Sequence, residues 1–161
     1  MTKPRVYLET TVVSYAAALP SRDLVAAAHQ QITREWMREH RGSYDVFVSQ
    51  LVVREGLAGD KEAVERRVAI LRGIESLALT DEAADLARAL VDRGAIPKRS
   101  VEDALHIAVA AVHGMDYLLT WNCRNIANAT MRTRIDAVCR SGGYEPPVIC
   151  TPEELIDATE R

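Results

Sequence analysis

The sequence predicts an α/β protein with a central, mostly parallel sheet and helices on both faces. Two observations support this prediction: short apolar runs alternate with longer amphipathic segments along the chain, and no linker, repeat or low-complexity segment interrupts them. With 161 residues, the chain can bury about two-thirds of its unfolded surface in one core. We therefore expect a single domain over residues 1–161.

Five apolar runs are predicted as strands, because they are short, and most are rich in β-branched and aromatic residues. In chain order they are residues 5–9 (RVYLE), 44–49 (YDVFVS), 76–79 (SLAL), 116–121 (DYLLTW) and 147–150 (PVIC). Helical segments rather than tight turns separate these runs, so the strands are expected to pair mostly in parallel.

The segments between the strands are predicted as helices from their apolar spacing and their end signals. They cover residues 22–40, 50–58, 61–72, 80–94, 100–114 and 122–143, with one more helix start at 151–155. Ser21 is the expected N-cap of the first of them. Thr151 and Glu154 have the spacing of a capping box, in which each side chain bonds the backbone N–H of the other residue.

Composition and charge limit the class of protein. The chain has a net charge of −3 at pH 7, whereas many nucleic-acid-binding domains are strongly basic. Binding also depends on the local electrostatic field, so this charge does not exclude it. The longest apolar run, residues 107–112, is far below the roughly 20 residues that span a bilayer. The N-terminus has no signal-peptide pattern and the three cysteines are widely spaced. We expect a cytoplasmic protein with reduced cysteines and no membrane association.

Several polar side chains are assigned to one edge of the predicted sheet. The carboxyl ends of the strands and the N-termini of the returning helices share that edge, where open α/β sheets keep their sites. The residues are Glu9, Glu55, Asp103, Asn122 and Asn125. Carboxylates brought together repel one another unless a cation neutralises them, and a hard divalent ion such as Mg²⁺ prefers oxygen ligands. The sequence thus predicts a cation site that could polarise a phosphodiester.

Simpler explanations exist for each of these residues. Asp103 could complete a capping interaction with Ser100 at the start of a helix. Glu55 could be a solvated helix residue, and the hydroxyls of Thr10 and Thr11 could cap the next helix instead of bonding a carboxylate or a metal-bound water. The prediction of a site therefore depends on the shared edge and not on any single residue.

Histidine is the other candidate ligand type in the chain. His106 and His113 are seven residues apart on one predicted helix and could ligate a transition metal. No third ligand stands at a useful spacing, so a histidine that is satisfied within the fold is the more common case. The sequence also contains no P-loop, no GxGxxG and no GxSxG nucleophile motif.

Four blocks of the sequence resemble the signature blocks of the PIN-domain ribonucleases, and most closely the VapC-like toxins of toxin–antitoxin modules. The blocks are YLETTVVSY, VSQLVVREGL, VEDALHIAVAA and DYLLTWNCRNI, and the resemblance extends from about Val6 to Ile149. It implies a PIN-like three-layer α/β/α sandwich and an endoribonuclease that depends on Mg²⁺ or Mn²⁺ and hydrolyses RNA phosphodiesters. It also implies a homodimer that a small antitoxin holds inactive by covering the acidic site.

The resemblance assigns roles to residues by their position in these blocks. The catalytic set that it implies is Glu9, Glu55, Asp103 and Asn122. The three acids would bind the metal, and Asn122 falls where many members have a fourth acid. A supporting set would orient the ligands or their waters: Thr10, Thr11 and Asn125. The first candidates for contacts with RNA phosphates are Arg54 and Arg124.

Two departures from the family pattern keep other functions open. Glu9 stands where the family usually has Asp, which moves the carboxylate roughly 1.5 Å further from the backbone, a shift that can be costly at a catalytic site. Asn122 adds no charge, which favours one metal ion over two. The alternatives are a non-catalytic PIN-fold protein that binds RNA or a protein partner, and a phosphoesterase acting on DNA or a nucleotide. A purely structural role would leave the acidic edge unexplained.

Overall fold

A five-stranded, entirely parallel sheet forms the centre of the computed structural model, which describes residues 2–157. The strands are β1 (Arg5–Leu8), β2 (Asp45–Ser49), β3 (Glu75–Leu77), β4 (Tyr117–Leu119) and β5 (Val148–Cys150). Their order across the sheet is β3-β2-β1-β4-β5. β2 and β3 are therefore added on one side of β1, and β4 and β5 are added on its other side.

Helices connect the strands and form the two outer layers of the sandwich. They are α1 (Thr10–Ala17), α2 (Leu24–Glu35), α3 (Gln50–Gly56), α4 (Lys61–Leu71), α5 (Asp81–Asp92), α6 (Val101–Val112) and α7 (Ala129–Ser141). A π-helical turn (Trp36–His40) and a 3-10 turn (Arg41–Ser43) extend α2, and another 3-10 turn (Lys98–Ser100) precedes α6. α1 packs against α2 and α4, whereas α5 packs against α6 and α7. This arrangement confirms the predicted three-layer α/β/α class.

The helix α1 was not predicted from the sequence. The first four of its eight residues, TTVVSYAA, are β-branched and have weak helix propensity. Val12, Val13 and Ala17 are nevertheless buried in the core, so burial of one helical face outweighs local preference here. The next helix also differs, because Asp23 and not Ser21 is its N-cap and accepts a bond from the backbone N–H of Ala26 at 2.8 Å.

Two predicted helices near the C-terminus are shorter than expected. Residues 123–126 form turns, and a regular helix begins only at Ala129, after Asn128 caps it. The Glu154 carboxylate accepts bonds from the N–H and hydroxyl of Thr151, each at 3.0 Å. Within the described residues this capping pair is followed by turns and bends and not by a helix.

The sheet topology places a switch point at the carboxyl end of β1, and we call the region around it the crevice. β1 lies between β2 and β4, at the point where the direction of strand addition reverses, and open α/β folds place ligand sites at such points. Leu8 is in register with Leu119, so the residues that follow β1 and β4 lie side by side. None of the helices in the described part of the chain has the length and apolar character needed to cross a membrane.

Candidate active site

Glu9 is fixed by its backbone on both sides. Its N–H donates to the carbonyl of Leu119 at 3.0 Å, which continues the pairing of β1 with β4 by one residue. Its carbonyl accepts from the N–H of Val12 at 3.0 Å, which closes the first turn of α1. The residue is only 4% exposed. A strand end and a helix start together hold this carboxylate at the crevice.

The Glu9 carboxylate is held by two threonine hydroxyls. Oε1 accepts from Thr11 Oγ1 at 2.5 Å and from Thr120 Oγ1 at 2.6 Å. The Thr11 oxygen in turn accepts from the N–H of Trp121 at 2.8 Å, and that of Thr120 accepts from the N–H of Asn122 at 2.9 Å. Hydrogen bonds to an ionised acceptor are stronger than neutral ones. Both of these bonds go to Oε1, so Oε2 is the oxygen that could bind a cation.

Glu55 comes from the last turn of α3 and reaches the same crevice from the β2 side. Its Oε1 accepts from Thr10 Oγ1 at 2.5 Å and lies 2.7 Å from Nε2 of His106. The Glu55 side chain is 27% exposed and that of His106 only 1%. Thr10 and Thr11 are thus the first residues of α1, and each bonds a carboxylate instead of capping a helix.

The electrostatic setting of Glu55 favours its ionised form. Burial opposes ionisation, but the hydrogen bonds from His106 and Thr10 outweigh it and lower the Glu55 pKa from 4.5 to about 2. The neighbouring Glu102 carboxyl has its pKa raised, first by its hydrogen bond with Glu55 and then by burial and charge repulsion. Glu55 therefore keeps its charge and Glu102 takes up a proton more readily. The Glu55 and Glu102 carboxyls together create a negative electrostatic potential around them.

Asp103, in the first turn of α6, is held by two asparagine amides. Its Oδ1 accepts from Asn122 Nδ2 at 3.1 Å and its Oδ2 from Asn125 Nδ2 at 3.0 Å. Ser100 makes no capping bond; its hydroxyl accepts from the same Asn125 amide at 3.0 Å. The capping explanation for Asp103 is therefore wrong, because its oxygens face the turn after β4.

Asn122 takes part in this cluster through both ends of its amide. Nδ2 bonds Asp103, while Oδ1 accepts from the backbone N–H of Asn125 at 3.0 Å. An aspartate at this position would place a second carboxylate against Asp103. The neutral amide instead fixes Asp103 without any added charge repulsion.

We expect Asn122→Asp to make the protein less stable without metal and more strongly stabilised by it. The new carboxylate would repel Asp103 at the present 3.1 Å contact, and a divalent cation would relieve that repulsion. The measurement is the unfolding midpoint of both proteins with chelator and with a Mn²⁺ series. An equal metal-induced shift in the two proteins would contradict the assignment of residue 122 to the cation site.

The three carboxylates and two amides converge on one crevice but do not form a closed metal cage. No ligand-atom set of Glu9, Glu55 and Asp103 lies within 4.8 Å of one another. Among the described residues, that spacing is met by Glu35, Glu39 and His40. That group precedes β2 and so lies at the opposite edge of the sheet. The crevice donors are all hard oxygen ligands, and the raised pKa of Glu102 indicates negative potential there, so they fit Mg²⁺ or Mn²⁺ in kind.

The two candidate phosphate-binding arginines are both exposed. Arg54 precedes Glu55, and its charge acts on the Glu102 carboxyl. Arg124 lies in the turn after Asn122, and its carbonyl accepts from Asn128 Nδ2 at 2.8 Å. The two arginines therefore come from the α3 and the β4 sides of the crevice.

Sequence reasoning missed two residues that contact the acids. Thr120 follows β4 as Glu9 follows β1, so the correct strand register would have revealed their contact. The sequence favours a histidine satisfied within the fold at His106, and both of its ring nitrogens are indeed hydrogen-bonded. The missing signal was that one of these partners is the predicted ligand Glu55. Nε2 of His113, by contrast, bonds the backbone carbonyl of Ala78 at 2.9 Å.

A sequence model of the PIN domain matches residues 6–124. The chain belongs to the PIN-domain family. The matched segment contains all but the first residue of β1, the whole of α6 and the start of the turn after β4. It therefore includes Glu9, Glu55, Asp103 and Asn122. The family assignment agrees with the four sequence blocks on which the resemblance was based.

The PIN fold of this chain is similar to that of a chain in the crystal structure of VapBC2 from Rickettsia felis bound to a DNA fragment from their promoter. The TM-score is 0.59 at 14% sequence identity, over 91% of this chain and 98% of that chain. At this identity the likeness concerns the fold. A comparison with curated proteins finds no significant match.

Proposed function

We propose that this PIN-family protein is an endoribonuclease that requires Mg²⁺ or Mn²⁺ and hydrolyses RNA phosphodiester bonds. The observation that carries the proposal is the convergence of Glu9, Glu55 and Asp103 at the crevice beside β1. They come from three different elements, and each is held by hydrogen-bond donors of neighbouring residues. Carboxylates restrained in this way are suited to a cation and are costly for a fold without one.

The roles of the residues follow from their contacts. Glu9, Glu55 and Asp103 would hold the cation, which when bound supplies positive charge to the phosphodiester and lowers the pKa of its water. Asn122 and Asn125 orient Asp103 through their amides. Thr11 and Thr120 orient Glu9, while Thr10 orients Glu55. The side chains that orient the three acids are therefore Thr10, Thr11, Thr120, Asn122 and Asn125.

Substrate binding would depend on exposed guanidinium groups at the rim of the crevice. Arg54 and Arg124 are both exposed, and arginine binds phosphate through two parallel hydrogen bonds. Because the chain has a net charge of −3, RNA would be attracted by these local charges and not by the whole surface.

We infer that the protein is the toxin of a toxin–antitoxin pair and acts as a cytoplasmic homodimer. Its membership of the PIN family and its similarity in fold to a chain of VapBC2 support this inference. A small antitoxin would neutralise the crevice by presenting a cation of its own, an Arg or Lys side chain, to the acids. Covering the carboxylates would inhibit cleavage without any change in the fold.

The test is cleavage of a labelled, structured RNA pool by purified protein freed of any partner. We expect cutting with Mg²⁺ or Mn²⁺, none with chelator, and little cutting of a DNA pool of matched sequence. Equal cutting of DNA would replace the proposal by a phosphoesterase of a different substrate class. Failure to cut RNA, together with no Mn²⁺ binding in a titration, would favour a non-catalytic PIN-fold protein that binds RNA or a protein partner.

A further inference from the structure

A buried hydrogen-bond chain runs from the end of β2 to the Glu55 carboxylate. The Ser49 hydroxyl lies 2.8 Å from the Tyr7 hydroxyl, and the Tyr7 hydroxyl lies 2.6 Å from Nδ1 of His106. Nε2 of His106 then lies 2.7 Å from Oε1 of Glu55. Ser49 and Tyr7 have no exposed surface, and His106 is 1% exposed. Water therefore has little access to compete for these bonds.

The donors and acceptors of this chain fit one direction. Ser49 Oγ accepts from the backbone N–H of Val52 at 3.3 Å, so its hydroxyl hydrogen is free to point at Tyr7. Tyr7 then donates to Nδ1 of His106, which leaves Nε2 to carry the hydrogen and donate to Glu55. Burial raises the pKa of Tyr7, so that its hydroxyl keeps its proton. Every group in the chain thus has a partner of the right kind.

We propose that His106 is a positioning residue that holds the Glu55 carboxylate for cation binding, with its ring fixed by Tyr7 and Ser49. The inference rests on the proposed function, since it gives the Glu55 ligand a defined orientation in the same site. Glu55 sits near the end of a short helix of seven residues, Gln50–Gly56, and has three rotatable bonds before its carboxyl group. Without His106, the partners left to restrain the Glu55 carboxylate would be the Thr10 hydroxyl and the exposed Glu102 carboxyl.

The position of His106 explains why a histidine is needed. It lies one turn beyond Asp103 on α6, so one helix both supplies a ligand and orients the ligand that α3 supplies. The ring spans the distance between a tyrosine of β1 and a carboxylate of α3 with its two nitrogens. An aliphatic side chain of similar volume would fill the core but would leave Tyr7 and Glu55 without this partner.

The experiment compares Mn²⁺ affinity, measured by calorimetry without RNA, among variants of the full chain. We expect His106→Leu to weaken Mn²⁺ binding about 10- to 100-fold, as loss of a partner behind a metal ligand typically does. His106→Gln should restore affinity close to the wild-type value, because its amide nitrogen can donate to Glu55 in place of Nε2. A purely structural histidine would not give this rescue. The matched control is His113→Leu, at the residue that caps the C-terminal end of α6, which should bind Mn²⁺ as the wild type does.

Tyr7→Phe provides a second variant that leaves His106 in place. Without the Tyr7 hydroxyl, Nδ1 of His106 loses the partner that holds the ring in place, so we expect Mn²⁺ affinity between those of the wild type and His106→Leu. The ¹⁵N spectrum of the wild-type imidazole adds a readout that needs no variant to fold. A hydrogen on Nε2 of His106 is expected, and a bare Nε2 would overturn the proposal.

The outcomes separate this inference from the proposed function. Wild-type protein that binds Mn²⁺ and cuts RNA, with His106→Leu binding Mn²⁺ equally well, would overturn the positioning role alone. Wild-type protein that binds Mn²⁺ but cuts no RNA, with the His106 series behaving as expected, would overturn only the nuclease proposal. Wild-type protein that binds no Mn²⁺ would overturn both.

Discussion

Asp103→Asn is expected to abolish metal-dependent RNA cleavage in a protein that still folds. The substitution removes a carboxylate charge from the crevice and replaces one oxygen by an NH₂ group, which would face the Asn125 amide in place of an acceptor. Because loss of a partner behind a metal ligand alone costs 10- to 100-fold, loss of the ligand itself should cost at least about a hundredfold. The measurement is the initial rate of RNA cleavage with Mn²⁺, alongside the unfolding midpoint.

Asp116→Asn is the matched control for this variant. Asp116 precedes β4 and accepts from the backbone N–H of Arg5 at 2.8 Å, which places it at the opposite edge of the sheet. The same chemical change there should leave the cleavage rate near that of the wild type. If Asp103→Asn cut RNA as fast as Asp116→Asn does, Asp103 would not be a ligand of the reacting centre.

Glu9→Gln is expected to remove metal binding without destabilising the metal-free protein. Glutamine keeps an oxygen that can accept from Thr11 and Thr120, so the local hydrogen bonds survive. It also removes a buried carboxylate, since Glu9 is only 4% exposed. A buried charge is costly for the folded protein. The unfolding midpoint without metal should therefore stay level or rise.

The effect of Mn²⁺ on that midpoint decides the role of Glu9. The midpoints of the wild type and of the solvent-exposed control Glu75→Gln should both rise with Mn²⁺, because both proteins keep the proposed site. The midpoint of Glu9→Gln should be nearly the same with Mn²⁺ as with chelator. Cleavage should fall in parallel, by at least about tenfold. Intact metal binding and activity in Glu9→Gln would show that β1 does not deliver a metal ligand.

The structure explains why an asparagine can stand at position 122, where many PIN-domain proteins have an acid. Its amide bonds Asp103 and the backbone of Asn125 at once, which an aspartate could not do with the same polarity. The amide therefore holds one acid in place, where a fourth carboxylate would instead need a cation to offset its charge. This favours the one-metal version of the proposed site.

The sequence alone predicted the fold class and the edge of the sheet that carries the polar residues. Alternating apolar runs and helical segments are local patterns, and the polarity of parallel strands then assigns the ends of elements to an edge without any knowledge of packing. Glu9, Glu55 and Asp103 could be placed together in this way. Local preference failed for α1, where burial of Val12 and Val13 stabilises a helix in a β-branched segment.

The tertiary structure decided which groups hold each acid. Thr120 and Glu9 are 111 residues apart in sequence, and His106 and Glu55 are 51 apart. Their contacts depend on the register of β1 with β4 and on the rotation of α3 and α6 about their axes, which the packing of the whole core determines. The sequence determined where the carboxylates lie in the fold, and only the packed core determined how they are oriented.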